Sequence, residues 1–534
     1  MPSEKLFQTM LRCLSMSRFH STKALPREEA EPRDVDNSCG TRCLARQAFR
    51  YVSKFATMRP ARCPAPRHRD LPVMPRQLFR FNARDLISRR QVLTTGASLC
   101  GLSLPGYLRL KSANAQPSLS MPGKAKSCII VYLWGGMSHL ESFDLKPNAP
   151  VEIRGEFSPI STSVPGIQIG EHLPLLAQQA EKLAIIRSIH HDDSAHGRGM
   201  YWNLTGHKPP RVGNIPPEPT DWPSLPAMVT KFRTAPKGVP AAVRLPYPLV
   251  DNGTLQAGEY GGWLGVQAEP IVIRTPTGQA FEGVSRTLGS EVLNLNDVDV
   301  PRLTTRRNLM VALEPESYRT SAHASFQYFH DLAEDILSGS AVKEAYNLER
   351  ETPKTRDMYG QHIGGHSLLL ARRLTEAGVP IVQVCLAAGD LNGAAGDMWD
   401  THGDNFNRLK KRLLPVFDQA TSALLQDLGD RGSLGETLVV VMTDFGRTPN
   451  INGGAGRDHY PYVYSMAMAG GGIQGGQVYG SSDDKGAFPK SMACTPPDVH
   501  ATIFHAMGIS PREELRDRLN RPQRICDGEV LPLL

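Results

Sequence analysis

Short apolar runs along the chain predict the strands of one central sheet. Five runs are each bounded by Gly, Pro or a charged residue: 128–133, 183–189, 379–386, 438–442 and 462–468. Their apolar character is continuous instead of alternating, which is typical of strands buried on both faces of a parallel sheet. Each run has the length of one strand and is too short to span a membrane.

Apolar residues at helical spacing predict helices between several of these strands. The predicted helices cover residues 173–182, 322–338, 366–377 and 406–428. In the last of them Leu409, Leu413, Phe417, Leu424 and Leu428 belong to one apolar stripe, and Gly432 suits a C-terminal cap. Strands alternating with helices predict an α/β fold with a mostly parallel central sheet flanked by helices.

The segment 207–300 differs from the rest in its composition. It is rich in Pro and Gly, which favour turns and interrupt regular elements. We predict a long insertion over the sheet that forms the rim of a site. The expected organisation is therefore a single α/β domain over residues 116–534, with this insertion at about 207–300.

The N-terminal region has the features of a twin-arginine export signal at residues 84–115. Arg89 and Arg90 are followed by a mildly apolar stretch, and a small-residue cleavage site ends at Ala115. A chance Arg pair in a basic segment is the alternative. Residues 1–83 are predicted to be a disordered extension, or the result of a start assigned upstream of Met74. The expected location is periplasmic or extracellular, after export by the twin-arginine machinery.

The charge distribution argues against nucleic acid as a partner. The whole chain carries a formal net charge of +7, but residues 1–115 carry +13 and the remainder carries −6. The positive charge therefore belongs to the leader. Beyond the leader no run of 18 apolar residues occurs, so no membrane span is predicted in the mature protein.

A Gly-Gly turn follows the first predicted strand, and polar residues come directly after it. Gly135 and Gly136 allow close approach of the backbone, and His139 and Asp144 lie just beyond them. These two side chains are candidate metal ligands. The alternative is a tight turn surrounded by solvated polar groups.

A second polar run follows the strand at 183–189. Ser194, His196 and Arg198 precede a short predicted helix at 200–204. The N-terminus of a helix favours an anion such as phosphate or sulfate, and an arginine can pair with its oxygens. We predict Ser194, His196 and Arg198 as catalytic residues, with a plain polar connector as the alternative.

Acidic and histidine residues also occur at the ends of the later strands. Asp400, His402, Asp444 and His459 are predicted to bind a divalent metal, and Arg447 is predicted to hold an anionic group. Carboxylate and imidazole suit Zn²⁺, Mn²⁺ or similar ions. Ligands of open α/β sheets bind at the carboxyl ends of the strands. Ordinary hydrogen bonding is the alternative for each residue.

These residues, in this order, resemble the bacterial family named domain of unknown function 1501. That family is placed by similarity in the alkaline phosphatase and sulfatase superfamily. The likeness spans about residues 125–512. Its most specific stretches are 134–147, 187–206, 359–378, 399–405, 428–449 and 456–484.

The resemblance implies roles for individual residues. His196 stands where sulfatases carry the Cys that becomes formylglycine and phosphatases carry Ser or Thr, and Ser194 is the nearby hydroxyl. Asp444 precedes Phe445, which replaces a histidine ligand of the superfamily, and His459 resembles its late histidine ligand. Asp400 and His402 resemble the Asp and His of the first metal. The early metal-binding Asp is missing, and His139 or Asp144 could substitute for it.

Three functions are compatible with this pattern. The first is an exported hydrolase that uses Zn²⁺, Mn²⁺ or Ca²⁺ to cleave a sulfate or phosphate ester of a small molecule or glycan. The second is a noncatalytic exported protein that binds an anionic molecule or glycan with the same fold. The third is phosphoryl transfer within one substrate, which export disfavours because phosphosugars are mostly cytoplasmic. The departures from the superfamily pattern leave the choice open, since fold does not fix function.

Overall fold

The computed structural model describes residues 123–251, 254–273, 299–313, 321–386 and 398–534. The predicted N-terminal extension and the predicted twin-arginine signal lie outside the described residues. No helix in the described ranges is long and apolar enough to cross a membrane.

The main sheet consists of eight strands, labelled here in chain order. They are β1 Ser127–Leu133, β2 Leu183–Ile189, β3 Ala242–Leu245, β4 Ile271–Val272, β5 Ile381–Cys385, β6 Thr437–Thr443, β7 Tyr464–Ala469 and β8 Gln477–Tyr479. The five strands predicted from apolar runs are all present, and their bounds shift by a few residues at most. The central strands β1 and β6 are buried along their whole length, which explains why they are continuously apolar.

The spatial order of the strands is β8-β2-β7-β6-β1-β5-β3-β4. All neighbours pair in parallel except β7, which is antiparallel to both β6 and β2. Strands β1, β2, β5 and β6 therefore all end at the same edge of the sheet, and β7 begins there. The predicted fold class, a mostly parallel α/β sheet flanked by helices, is confirmed.

In the described ranges six longer helices accompany the sheet. They are α1 His196–Thr205, α2 Val300–Leu313, α3 Ser321–Ser338, α4 Ile363–Glu376, α5 Leu414–Asp430 and α6 Pro496–Ala506. Shorter α-helices span Val151–Arg154, Pro174–Ala177, Leu225–Val229, Ala341–Tyr346, Pro353–Tyr359 and Asn405–Arg408, and a π-helical turn at Leu409–Leu413 leads into α5. The apolar stripe predicted for 406–428 is buried against the core. Each fully buried Leu of this stripe contributes about 1.5–3 kcal/mol through removal from water.

Small two-stranded hairpins complete the regular structure. They pair Pro159–Ser161 with Gln168–Gly170, Val250–Asp251 with Thr254–Leu255, Gly446–Arg447 with His459–Tyr460, Ser481–Ser482 with Pro489–Ser491, and Glu514–Arg516 with Pro522–Arg524. One of them joins the residues after β6 to those before β7.

The segment 207–300 was predicted as an insertion over the sheet, and it also contributes strands to the sheet. Its described residues include β3 and β4, which extend the main sheet at one edge. Both strands are short and separated by Pro- and Gly-rich connections, so their apolar runs are too brief to be recognised in the sequence. This segment therefore belongs in part to the sheet itself.

Candidate metal centre

The carboxyl edge of the sheet gathers residues that are far apart in the chain. Leu133 at the end of β1 lies opposite Thr443 at the end of β6, so the Gly135–Gly136 turn and Asp444 leave the sheet at the same level. The Gly135 backbone N–H donates to Asp444 Oδ1 at 3.0 Å. A Cβ at Gly135, whose φ is +111°, would lie 2.5 Å from the Asp400 nitrogen. Only glycine therefore allows Asp400 to approach β1 and β6 this closely.

Four side chains meet at this edge and are called the donor cluster: His196, Asp400, His402 and His459. His196 Nε2 lies 3.3 Å from Asp400 Oδ1, and His402 Nε2 and His459 Nε2 each lie 3.2 Å from the same oxygen. The two Nε2 atoms of His402 and His459 are 2.8 Å apart. The cluster thus forms from the first residue of α1, the segment after β5 and the strand residue before β7.

Each imidazole of the donor cluster is oriented by an acceptor at its Nδ1 atom. His196 Nδ1 contacts Asp444 Oδ2, His402 Nδ1 lies 2.8 Å from Asp458 Oδ1, and His459 Nδ1 lies 2.7 Å from the Ser194 carbonyl oxygen. A nitrogen that faces an acceptor carries the proton, so the Nε2 atoms present lone pairs in the neutral rings. In the neutral rings three lone pairs therefore face one carboxylate oxygen, an arrangement that needs a cation or a proton between them.

This arrangement fits a divalent cation. His196 Nε2 is buried and has no hydrogen-bond partner among the described residues. One donor atom from each of His196, Asp400 and His459 lies within 4.8 Å of the other two. Tetrahedral Zn²⁺ with ligands at 2.0–2.1 Å would hold neighbouring donors about 3.3 Å apart, close to the distances from Asp400 Oδ1. In metal sites the second nitrogen of a metal-binding histidine usually donates to a carboxylate or another acceptor, as His196 Nδ1 does to Asp444.

The electrostatics of the cluster favour a bound positive charge. Burial by itself lowers the pKa of His196, but the Asp444 and Asp400 carboxylates outweigh it and raise that pKa to about 9. Burial would raise the pKa of Asp400, yet His196, His459 and Arg447 hold it well below its usual range. Burial is the main cause of the lowered pKa of His459, which favours its neutral form. Without a cation, a proton on His196 takes its place.

Buried aromatic rings hold His196 in position. The imidazole stacks on Phe445 with ring centroids 4.9 Å apart, and Trp134 lies 5.2 Å away on a tilted plane. Both rings are fully buried. Phe445 thus packs against a ligand candidate from the position where the family resemblance expects a histidine ligand. Nothing in the sequence pattern indicated this packing role.

Asp444 and Arg447 support the cluster from inside the protein and are themselves fully buried. Asp444 is occupied by the Gly135 N–H and by His196. Arg447 donates to Asp400 Oδ1 at 2.6 Å, to the Gly136 oxygen at 2.9 Å and to the Arg457 oxygen at 3.0 Å. The prediction that Arg447 holds a substrate anion does not agree with this placement, because its donors are committed to the protein.

The other predicted site residues make different contacts. Ser194 is exposed, and its carbonyl orients His459. Arg198 pairs with Asp193 at 2.6 Å. His139 is buried with Nε2 3.0 Å from the Gly486 oxygen, and Asp144 binds Lys146 and the Ser482 hydroxyl. The structure therefore does not bring His139 or Asp144 to the donor cluster as substitutes for a missing ligand.

Asp458 is a further residue of the site. It accepts from His402 Nδ1, and this hydrogen bond is the main cause of its lowered pKa. Asn452 donates to the same carboxylate oxygen at 3.1 Å. Its position next to His459 in the sequence was the available signal, but adjacency in a strand sends neighbouring side chains to opposite sides, so its partner could not be inferred.

The fold and the site together define an α/β protein with a candidate metal centre at the carboxyl edge of a mostly parallel sheet. The chain belongs to the family described as "Protein of unknown function (DUF1501)", whose model matches residues 125–533. The family predicted from the sequence is therefore confirmed. No curated protein matches the chain.

Several solved structures are similar to this chain at low sequence identity. One is Ps i-CgsB in complex with k-i-k-neocarrahexaose, with 11% identity, 76% of this chain and 75% of that chain covered and a TM-score of 0.33. A protein in the alkaline phosphatase superfamily from Vibrio parahaemolyticus has 10% identity, 74% and 68% coverage and a TM-score of 0.34. Alkaline phosphatase from the Antarctic bacterium TAB5 has 11% identity, 68% and 96% coverage and a TM-score of 0.30. TM-scores below 0.5 carry no functional argument.

Proposed function

We propose that this protein is an exported metal-dependent hydrolase that cleaves a sulfate or phosphate ester of an anionic small molecule or glycan. The observation that carries the proposal is the convergence of three imidazole Nε2 atoms and one carboxylate oxygen in the donor cluster. Such a set has acceptors only, and a cation is the natural partner for it.

His196, Asp400, His402 and His459 would hold the metal. Three nitrogen donors and one oxygen donor favour Zn²⁺ or Mn²⁺ over Ca²⁺, which prefers six to eight oxygen ligands. When bound, the cation would supply Lewis-acid chemistry by polarising an ester oxygen and lowering the pKa of a coordinated water. Asp444 holds the proton of the neutral His196 ring on Nδ1, so that Nε2 can face the cation, and Arg447 balances the charge of Asp400 from the protein side.

Access to the cluster is from the side of His402. Its side chain is 46% exposed, whereas His196 is 8% exposed. The N-terminus of α1 also lies here, because His196 is its first residue. The positive end of a helix dipole stabilises an anion, so it would favour the sulfate or phosphate group of an ester at this end of the site.

The attacking group would be either water or the Ser194 hydroxyl. Both nitrogens of His196 are engaged in the proposed arrangement, so a nucleophilic role for His196 fits less well than a ligand role. Ser194 is exposed and follows Asp193 immediately before α1. Ser194→Ala separates the two routes, because direct attack by water would survive this substitution and attack by the hydroxyl would not.

The test uses purified protein loaded in turn with Zn²⁺, Mn²⁺ or Ca²⁺ and assayed with an aryl sulfate and an aryl phosphate. We expect turnover of at least one ester with Zn²⁺ or Mn²⁺, and loss of that turnover in His459→Ala. Asp144→Asn is the matched control, since Asp144 lies outside the donor cluster. Metal-free purified protein that takes up no cation and cleaves neither ester would reject the proposal.

A noncatalytic protein that binds an anion or a glycan is the second candidate. One observation weighs against ester cleavage: the arginines near the cluster, which could stabilise the charge that develops on the ester, are committed to the protein. Arg447 pairs with Asp400, Arg198 with Asp193, and Arg457 with Glu141. Stoichiometric metal without turnover of any ester, together with glycan binding that persists in His402→Ala, would favour this candidate.

Export by the twin-arginine route is part of the proposal. The machinery carries folded proteins, which suits a chain that must acquire a metal before it leaves the cytoplasm. The mature N-terminus should lie directly after Ala115, and the mature protein should be periplasmic or extracellular. Sequencing of the N-terminus checks this, and a start upstream of Ala115 would contradict it.

A further inference from the structure

A small cavity lies apart from the donor cluster, between two tryptophans and the C-terminal hairpin. Its volume is about 180 Å³, and Trp222 and Trp263 form one wall. The opposite wall is the tip of the hairpin Glu514–Arg516/Pro522–Arg524. A cavity of roughly 150 Å³ admits benzene, so this one has room for a single six-membered ring.

The tryptophan wall offers aromatic surface to the cavity. Trp222 stacks on His207 with ring centroids 3.5 Å apart and planes within 8°, and it meets Trp263 at 72° with centroids 5.6 Å apart. His207 therefore covers one face of Trp222. Trp222 is partly buried and Trp263 is 8% exposed, so the surface that they leave open is at the cavity, which both of them line.

The hairpin wall is also fixed, but one of its charges is unused. Asp517 accepts from the Leu519 and Arg521 backbone N–H groups and from the Arg521 and Gln523 side chains. Its lone pairs are therefore satisfied within the turn. Arg518, next to it, makes no hydrogen bond or ion pair with any residue that the structure describes. Arg518 lines the cavity, and its guanidinium is free to pair with an anion.

The hairpin tip also exposes apolar surface at the mouth of the cavity. Leu519 is 72% exposed and lines the same opening. An angled aromatic wall and an unpaired arginine beside the same opening together match one chemistry. A sugar ring has apolar C–H faces, hydroxyl acceptors around its edge and, in acidic glycans, a carboxylate or sulfate substituent.

We propose that this cavity binds one pyranose ring of an anionic glycan, with the ring in the angle between Trp222 and Trp263 and its carboxylate or sulfate on Arg518. The site does not depend on the proposed metal chemistry, because no lining residue belongs to the donor cluster. It would retain a glycan whether or not the protein hydrolyses an ester.

The test is a glycan array that presents neutral, carboxylated and sulfated oligosaccharides to the purified protein with its metal removed. Hits are then titrated by tryptophan fluorescence. We expect binding of carboxylated or sulfated chains and weaker binding of neutral ones. The two classes of anionic chain on the array identify which substituent Arg518 prefers, and inorganic sulfate alone should bind far more weakly than a sulfated chain.

Two variants assign the contacts. Trp222→Ala should weaken binding by about tenfold, since it removes the apolar aromatic surface that the ring would cover. Arg518→Ala should weaken anionic glycans several-fold and leave neutral ones unchanged. Arg518 is exposed, so this variant should fold normally. Arg512→Ala removes an exposed arginine that does not line the cavity and is the matched control.

Three results would overturn the proposal. The first is that no glycan on the array binds. The second is that Trp222→Ala and Arg518→Ala bind the hits as tightly as the parent protein does. The third is that Arg512→Ala weakens binding as much as Arg518→Ala does. Binding that requires the metal and is lost in His459→Ala would also overturn it, and would assign the glycan to the donor cluster. Absence of ester turnover, by contrast, bears only on the proposed hydrolase.

Discussion

Arg457 and His459 are two positions apart in the chain, but they belong to groups with opposite electrostatic arrangements. His459 belongs to the donor cluster, in which three Nε2 atoms converge on one carboxylate oxygen. Arg457 and Glu141 form an ion pair that is fully buried on both sides, with Arg457 donating also to the carbonyl oxygens of Thr448 and Ile153. In the first group donor atoms remain available, and in the second every charge is compensated.

This difference separates a binding site from a structural element. A buried charge must be paired and hydrogen-bonded to be tolerated, and Arg457 and Glu141 achieve this within the protein. In the donor cluster Arg447 pairs with Asp400, but His196 Nε2 has no hydrogen-bond partner among the described residues. Polar composition alone therefore does not identify the candidate site. A buried donor atom without a hydrogen-bond partner does. The predictions below test this contrast, beginning with the largest expected effect.

Arg457→Met should destabilise the protein most. It leaves Glu141 as an uncompensated buried charge, which costs about 3–5 kcal/mol of unfolding free energy. Chemical denaturation measures the loss. Lys490→Met removes an exposed ion pair with Asp484 and should give no measurable loss. Equal stability of the two variants would show that Arg457 and Glu141 are not the structural pair described above.

His459→Ala should abolish metal binding but spare the fold. Removal of one of four ligands should lower metal affinity more than ~100-fold, beyond the 10- to 100-fold typical of outer partners. Elemental analysis of purified protein is the measurement. Asp144→Asn, outside the cluster, should keep the metal of the parent protein. If both variants retained it, the donor cluster would not be the metal centre.

Asp444→Asn should have an intermediate effect on the metal. The amide preserves the size of the side chain but removes the charge that holds the proton on His196 Nδ1, so affinity should fall about 10- to 100-fold. Competition with a chelator of known affinity measures this. Thr502→Val, a buried hydroxyl in α6, serves as a control for general perturbation of buried polar groups. Unchanged affinity in Asp444→Asn would contradict the orienting role.

Metal affinity should rise with pH. In the metal-free protein burial opposes, but Asp444 and Asp400 together raise, the pKa of His196 to about 9. The proton then competes with the cation for Nε2, so each unit of pH below that value should lower the affinity about tenfold. Titration of metal binding between pH 6 and pH 9 tests the sign. An affinity independent of pH would mean that His196 is not a ligand.

Arg198→Ala should have the smallest effect on the metal. Its loss leaves the buried Asp193 carboxylate without its arginine, so it should cost about 1–3 kcal/mol of stability while the metal stays in place. Thermal unfolding and elemental analysis together test this. Loss of metal in this variant would place Arg198 in the centre despite its ion pair.

The elements of the central sheet could be predicted because their signal is local. β1 and β6 are almost continuously apolar since helices and loops cover both faces, and the apolar stripe of α5 follows from helical spacing. The edge strands β3 and β4 could not be predicted in the same way. They are short and lie in a Pro- and Gly-rich segment, so their pairing depends on neighbours that are far away in the sequence.

The sequence by itself identified Asp400, His402, Asp444, His459 and His196 as candidates, because carboxylates and imidazoles at strand ends are uncommon on plain surfaces. Only the tertiary structure decided which of them are candidate ligands and which support a ligand. Asp444 became the partner of His196 Nδ1, His196 joined the candidate ligands, and His139 and Asp144 went to other contacts. The physical reason is that a ligand is defined by the direction of a lone pair and by what occupies the other atoms of the side chain, and both depend on residues from distant parts of the chain.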